Sequence, residues 1–400
     1  MNNKCNACAA LTAILICLLL PGSIRAQKLS GYVQGQYQWG EPDATLRVGA
    51  PNENPAEPFS RMGLRRARLK ATHEKELFSC ALEIDLSEKG VSVKDAYLAV
   101  KDPWRGVFRL RAGIFTRPFG YELSYPTVRL ESPERSMLCQ TLFPDEKDMG
   151  VMLQIQPVPT SSWHFLKFAG GWFAGNGIKQ ETDNRRDFIG RLSAGRFLSR
   201  TVRLEGGLSY YNGSVYQGTE NVYTMAGDGF VLNRAPENKG RFSLREYFGV
   251  DAEWSVDFPV TGRSRIQAQY VFGKQPGGWS GSRSPNASTL PEHDVYNRDF
   301  AGGYILFIQE LGKSPLSAVL KYDYYDPNTK MAGNNADWNA AGSGDVALRH
   351  FGFGLLWWID EHFRLQAYYE INRNETVEQG MGYAGDLRDN VFTLRVQYGF

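Results

Sequence analysis

Along most of the chain, apolar and polar residues alternate with a period of two, the spacing that sends successive side chains of an extended strand to opposite faces. The C-terminal stretch 390–400 shows it well: Phe392, Leu394, Val396, Tyr398 and Phe400 share one face, and Thr393, Arg395 and Gln397 share the other. The preceding segment repeats the pattern, with Phe363, Leu365, Ala367, Tyr369 and Ile371 alternating with Arg364, Gln366, Tyr368, Glu370 and Asn372. The same template predicts sixteen strands, near 29–39, 61–73, 77–87, 92–101, 107–116, 148–157, 163–174, 187–199, 202–213, 245–257, 262–272, 299–311, 316–326, 347–359, 362–373 and 390–400. Most have the roughly 9 to 11 residues that a tilted strand needs to cross a bilayer.

Connections alternate in length. Those at 102–106, 156–162, 198–201, 258–261, 311–315 and 360–361 are short. Those near 40–60, 117–147, 175–186, 214–244, 273–298, 327–346 and 374–389 are long and rich in Gly, Pro, Asn and Asp, as irregular surface chain should be. Only the connection at 87–91 is short where the rhythm calls for a long one. The pattern predicts an all-β fold: a closed antiparallel up-and-down transmembrane β-barrel of about 16 strands, with short periplasmic turns and long extracellular loops. A soluble β-sandwich or propeller also has many short strands. Neither explains a face that stays apolar in strand after strand and carries Trp39, Trp172, Tyr210, Trp254, Tyr324 and Trp357 near strand ends, where aromatic rings sit at a lipid–water interface.

Residues 1–26 read as a secretory signal peptide: Lys4, an apolar run over 9–20 and a cleavage position after Ala26. The run is too short for a spanning helix and ends at Pro21-Gly22. Cys17 within it raises a lipoprotein alternative, but Ile14 and Ile16 stand where small residues are expected. The barrel is then 27–400, and no segment in it approaches a helical span. Of five cysteines only Cys80 and Cys139 remain, which is no disulfide framework. With Lys4 and Arg25 gone, basic and acidic residues balance, so no nucleic-acid partner is expected; the partners are outer-membrane lipids.

Assigning the apolar face to lipid turns Arg66, Arg68, Lys70, Arg109, Arg111, Lys167, Arg191, Arg203, Arg265, Lys321, Arg364 and Arg395 inward. Glu83, Asp85, Asp95, Glu205, Asp251, Glu253, Asp323 and Glu370 accompany them, leaving a basic excess. Basic rings select anions by charge and forked hydrogen bonds. Alternatively, Arg66, Arg68 and Lys70 are neutralised across the wall by Glu83, Asp85 and Asp95 and handle no solute. The long connection 117–147 is the candidate constriction, folding into the lumen; it carries Arg117, Arg129, Arg135 and Lys147 beside Glu122, Glu131, Glu134, Asp145 and Glu146. A lid lying outside would have the same composition.

The stretch Arg65-Arg66-Ala67-Arg68-Leu69, then Lys94-Asp95-Ala96-Tyr97-Leu98, then Arg111-Ala112-Gly113-Ile114-Phe115-Thr116-Arg117-Pro118-Phe119-Gly120, resembles the phosphate-selective porin O and P family. Glu134-Arg135-Ser136 and Asp148-Met149-Gly150-Val151 extend the match over about residues 60 to 155. The resemblance implies a sixteen-stranded homotrimeric porin of the Gram-negative outer membrane whose inward loop and basic wall pass small anions such as phosphate. It marks Arg66, Arg68, Arg109, Arg111, Arg117 and Arg135 as basic lining, and this chain lacks the family's lysine cluster. The pathway residues expected from wall and loop together are these six with Lys70 and Arg129.

Two other classes compete: a plugged barrel whose long loops bind a partner, and an outer-membrane hydrolase. The five histidines, at 73, 164, 293, 350 and 362, lie in no nucleophile motif. Metal-ligand spacings and phosphate-cradling glycine patterns are missing from the sequence, so no cofactor, metal or catalytic residue is expected.

Overall fold

The computed structural model describes residues 27–179, 181, 183–281, 283, 293–378 and 382–400; the expected signal peptide lies outside them. The strands are β1 (Gln27–Gly40), β2 (Phe59–Lys75), β3 (Phe78–Ser87), β4 (Gly90–Lys101), β5 (Phe108–Thr116), β6 (Lys147–Ile155), β7 (Leu166–Phe173), β8 (Asp187–Phe197) and β9 (Val202–Tyr216). They continue with β10 (Asn221–Ala226), β11 (Gly229–Arg234), β12 (Phe242–Phe258), β13 (Gly262–Gly277), β14 (Val295–Glu310), β15 (Leu316–Asp326), β16 (Leu348–Trp358), β17 (Phe363–Asn374) and β18 (Val391–Gly399).

Sixteen of them pair antiparallel in a ring. β9 pairs directly with β12, and β1 closes on β18 from Tyr32↔Gly399 to Gly40↔Val391. At the foot of that seam Gly31 and Phe400 exchange backbone hydrogen bonds of 3.0 and 2.9 Å, so the chain's last residue completes the ring. Closure matters because hydrocarbon offers no partner to a free N–H or C=O. All sixteen expected strands form. The correction falls in the connection at 214–244, expected as loop: it holds the hairpin β10–β11, whose first strand also pairs in parallel with the start of β14. The turn Gly227-Asp228-Gly229 between two alternating apolar runs was the local signal for it.

The short turns hold themselves with side chains. Asp102 accepts from the N–H groups of Arg105 and Phe108 at 2.8 Å each, with longer bonds from Trp104 and Gly106, and these donors hold its carboxyl down to about 2. Asp360 accepts from His362 and Phe363 at 2.7 Å, so the segment Asp360-Glu361-His362 is a self-capped turn.

Polarity is inside out. Leu98, Trp172 and Leu208 stand exposed on the outer wall, at 71%, 62% and 62% of their free surface, while Gln34, Gln36, Gln397, Arg364 and Arg395 are buried on the inner one. So large a contiguous apolar exterior is stable only against acyl chains. A closed barrel with this exterior belongs in the outer membrane of a Gram-negative bacterium. Above the wall, residues of β11 and of the connections after β15 and β17 gather a separate apolar core of Phe230, Met331, Trp338, Val346 and Val377 with Tyr296.

Leu208 lies midway along β9, so Leu208→Arg should cost about 2–4 kcal/mol in reversible unfolding from lipid vesicles. A loss below about 0.5 kcal/mol would mean that this face meets water.

Candidate functional site

The connection between β5 and β6 enters the barrel. Its short helices, Tyr121–Ser124 and Met137–Leu142, carry Leu123, Leu138 and Leu142, which pack with Phe119 and Phe143 against the inward side chains Phe115, Phe173, Ile189, Tyr211, Tyr247, Val271 and Phe300. An apolar cluster inside a polar lumen is what draws the loop off the surface, since each of these side chains gains about 1.5–3 kcal/mol by leaving water. Ser136 caps the second helix, its Oγ accepting from the N–H of Cys139 at 3.2 Å.

Charged groups fix where the loop stops. Glu134 receives both Nε and Nη2 of Arg65 at 2.7 Å, Arg66 Nη2 at 2.8 Å and Arg395 Nη2 at 3.0 Å. Two consecutive residues of one strand normally face opposite sides. Here the register of β2 against β1 slips between Gln34 and Gly35, and Arg65 is the extra residue of a β-bulge, which turns it inward beside Arg66. Three guanidiniums hold the Glu134 carboxyl well below the usual carboxylate range despite its burial. Further round the wall, Arg265 pairs with Glu131, Lys321 reaches Glu122 at 3.4 Å, and Asp323 accepts from the N–H of Met137 at 2.7 Å. Arg395 and Gln366 also donate to the carbonyls of Pro133 and Glu131, at 2.7 and 2.5 Å.

Most of the expected pathway residues are engaged in this framework. Arg66 is held by Glu134; Arg68 meets Asp85 at 3.0 Å and Glu83 at 3.5 Å; Lys70 meets Asp95 at 2.5 Å and Glu83 at 3.1 Å. Neutralisation across the wall therefore describes Arg68 and Lys70, whereas Arg66 is neutralised by the loop. Arg135 pairs with Glu146 at 2.9 Å and holds that carboxyl below its usual range. Arg117 is buried, donates to the Pro144 carbonyl at 3.0 Å and lies 5.1 Å from the Phe143 ring, a packing role within the loop. Arg129 is exposed on the loop, does not line the cavity described next, and makes no ion pair among the described residues.

Arg109 and Arg111 differ. Both line a cavity of about 1090 Å³ beneath the loop, bounded by the short turns and by Phe400, hence at the periplasmic end of the lumen. Arg109 has only a distant, exposed partner, Glu74 at 3.7 Å. Arg111 has no hydrogen bond or ion pair among the described residues, and its buried Nε is unpartnered. Lys101 stands directly across from Arg109 in the β4–β5 register, a like-charge pair that would normally repel, and Lys167 lines the same cavity. Lys101 was missed because it ends a strand, and Lys167 was seen as inward but not grouped with the arginines; their convergence exists only once the strands are in register. Gly113 lets β5 approach β4 here: its φ is +125°, and a Cβ would lie 2.3 Å from the Ala96 carbonyl oxygen.

No family model and no curated protein matches the sequence. Among solved structures, the barrel is similar to OprB of Pseudomonas putida, with TM-score 0.59 over 94% of this chain and 94% of that one, at 10% identity. The fold is a porin fold. An anion-selective porin from Comamonas acidovorans gives TM-score 0.56 over 94% and 99% of the two chains at 11% identity. OmpT of Vibrio cholerae, in a trimer form, gives 0.52 over 94% and 99% at 9% identity. Identities this low carry the porin architecture alone.

Glu134→Gln strands three guanidiniums beside a neutral amide and should lower stability by about 3–5 kcal/mol in thermal or denaturant unfolding. A loss under about 1 kcal/mol would show that the clamp holds nothing. Because the Glu134 and Glu146 carboxyls are held down in the folded state, their contribution is complete above the ordinary carboxylate pKa of 4.5 and is lost only as pH falls through the depressed values. The melting temperature should therefore show no loss from these two groups between pH 7 and pH 5. In Glu134→Gln the low-pH decline should be correspondingly smaller.

Proposed function

We propose that the chain is an outer-membrane diffusion pore for small polar solutes, leaning toward anions, with phosphate among them. The observation that carries the reading is the basic group Lys101, Arg109, Arg111 and Lys167 at one end of the lumen, which lacks the carboxylate partners that neutralise Arg66, Arg68 and Lys70. Fixed cations on a water-filled wall concentrate anions and repel cations. The loop 117–147 acts as the constriction, because its apolar packing on one side and its ion pairs with β2, β13, β15 and β18 on the other hold it across the lumen. No role in catalysis is assigned to any residue. The inclusion of phosphate among the solutes rests on the family resemblance of the segment 60–155. A homotrimer is the assembly that resemblance implies, and the similar OmpT structure is a trimer form.

The test is the reversal potential of the purified protein in a planar bilayer under a KCl gradient. The reading predicts ion flow with an anion-to-cation permeability ratio above one, and a fall in that ratio of about two-fold or more in Arg109→Gln with Arg111→Gln. An unchanged ratio in the double variant would assign those arginines to the wall alone. A bilayer that stays closed would instead favour a plugged barrel acting through its outer loops.

A further inference from the structure

The surroundings of Arg111 are not those of a phosphate site. Its neighbours on the same rung of the wall are Ala99 on β4 and Met152 on β6, neither of which offers a hydrogen bond. Its guanidinium lies 4.3 Å from the centroid of the Tyr97 ring and 5.4 Å from that of Phe115. Stacking leaves the guanidinium edge available, and that edge is where a carboxylate forms its forked pair of bonds. Leu123 and Tyr125 of the loop add apolar surface to the same cavity. A compact, strongly hydrated dianion gains nothing from such walls and loses water on approaching them. At about 1090 Å³ the cavity is the size of sites that take organic ligands of some bulk.

We infer that the periplasmic end of the lumen holds a binding site for an organic monocarboxylate with an aromatic or aliphatic body. The carboxylate sits on Arg111 with Arg109 and Lys167 in support. The apolar body lies against Tyr97 and Met152, beneath Leu123. This deepens the anion-pore reading and rests on it for the route by which the solute leaves. The site then offers two adjoining surfaces, the cationic one of Arg109, Arg111 and Lys167 and the apolar one of Tyr97, Met152 and Leu123. An amphiphilic anion satisfies both at once, and an inorganic anion satisfies one.

Calorimetric titration of the detergent-solubilised barrel with benzoate, and separately with inorganic phosphate, tests this without requiring ion flow. The inference predicts that benzoate binds more tightly than phosphate. It also predicts that Tyr97→Ala and Arg111→Gln each weaken benzoate about tenfold or more, while Tyr97→Phe, which keeps the ring, keeps the affinity. Phosphate binding equal to or tighter than benzoate, or a benzoate affinity that Tyr97→Ala and Arg111→Gln leave unchanged, overturns it. The two readings fail separately. A conducting, anion-selective pore without benzoate binding ends the carboxylate site alone. Benzoate binding in a barrel that conducts nothing supports the site and ends the pore.

Discussion

Hydrocarbon contains no water, so a chain that crosses it in extended form must pair every strand with two neighbours and point its polar side chains away from lipid. The sixteen-stranded ring is the consequence, and so is its inverted polarity. The wall that closes from β1 to β18 gathers the strands' Arg, Lys, Asp, Glu and Gln residues into one enclosed space. Charges brought together there must be paired or left in water, and how this chain divides them between those two states determines what its lumen does.

The division is made by one loop. Arg65 and Arg66 of β2 and Arg395 of β18 converge on Glu134, and Arg265 meets Glu131, so the loop brings counter-charges to arginines of the wall. Further along β2, Arg68 and Lys70 are met by Glu83 and Asp85 of β3 and Asp95 of β4. Neither device extends to Arg109, Arg111, Lys101 and Lys167 below the loop, where small and apolar residues such as Ala99, Ala169 and Gly171 take the positions a carboxylate would need. The lumen is thus locally cationic at the end below the loop.

The strands were legible because the period-two signal is local: each segment states its own lipid face, and the C-terminal stretch states it without interruption. The loop's destination was only half legible. Its charges were ambiguous between an outside lid and an inward constriction, whereas Phe119, Leu123, Leu138, Leu142 and Phe143 are too apolar for an exterior loop, and that was the clue to inward packing. The pairing of Arg65 and Arg66 with Glu134 could not be read at all. It spans 69 residues and depends on a bulge that breaks the alternation from which facing was inferred. Likewise, nothing in the sequence near Arg111 says that its cross-strand neighbours are Ala99 and Met152, so its lack of a direct ion-pair partner among the described residues is a property of register.

The central claim is that solutes pass the cationic stretch of Lys101, Arg109, Arg111 and Lys167 beneath the loop. Its most direct test places a reactive thiol there: Lys167→Cys in a conducting bilayer, treated in turn with an anionic and a cationic methanethiosulfonate of similar size. The account predicts that the anionic reagent reacts faster and lowers the current in discrete steps. Equal rates for the two reagents, or modification that leaves the current untouched, would contradict it.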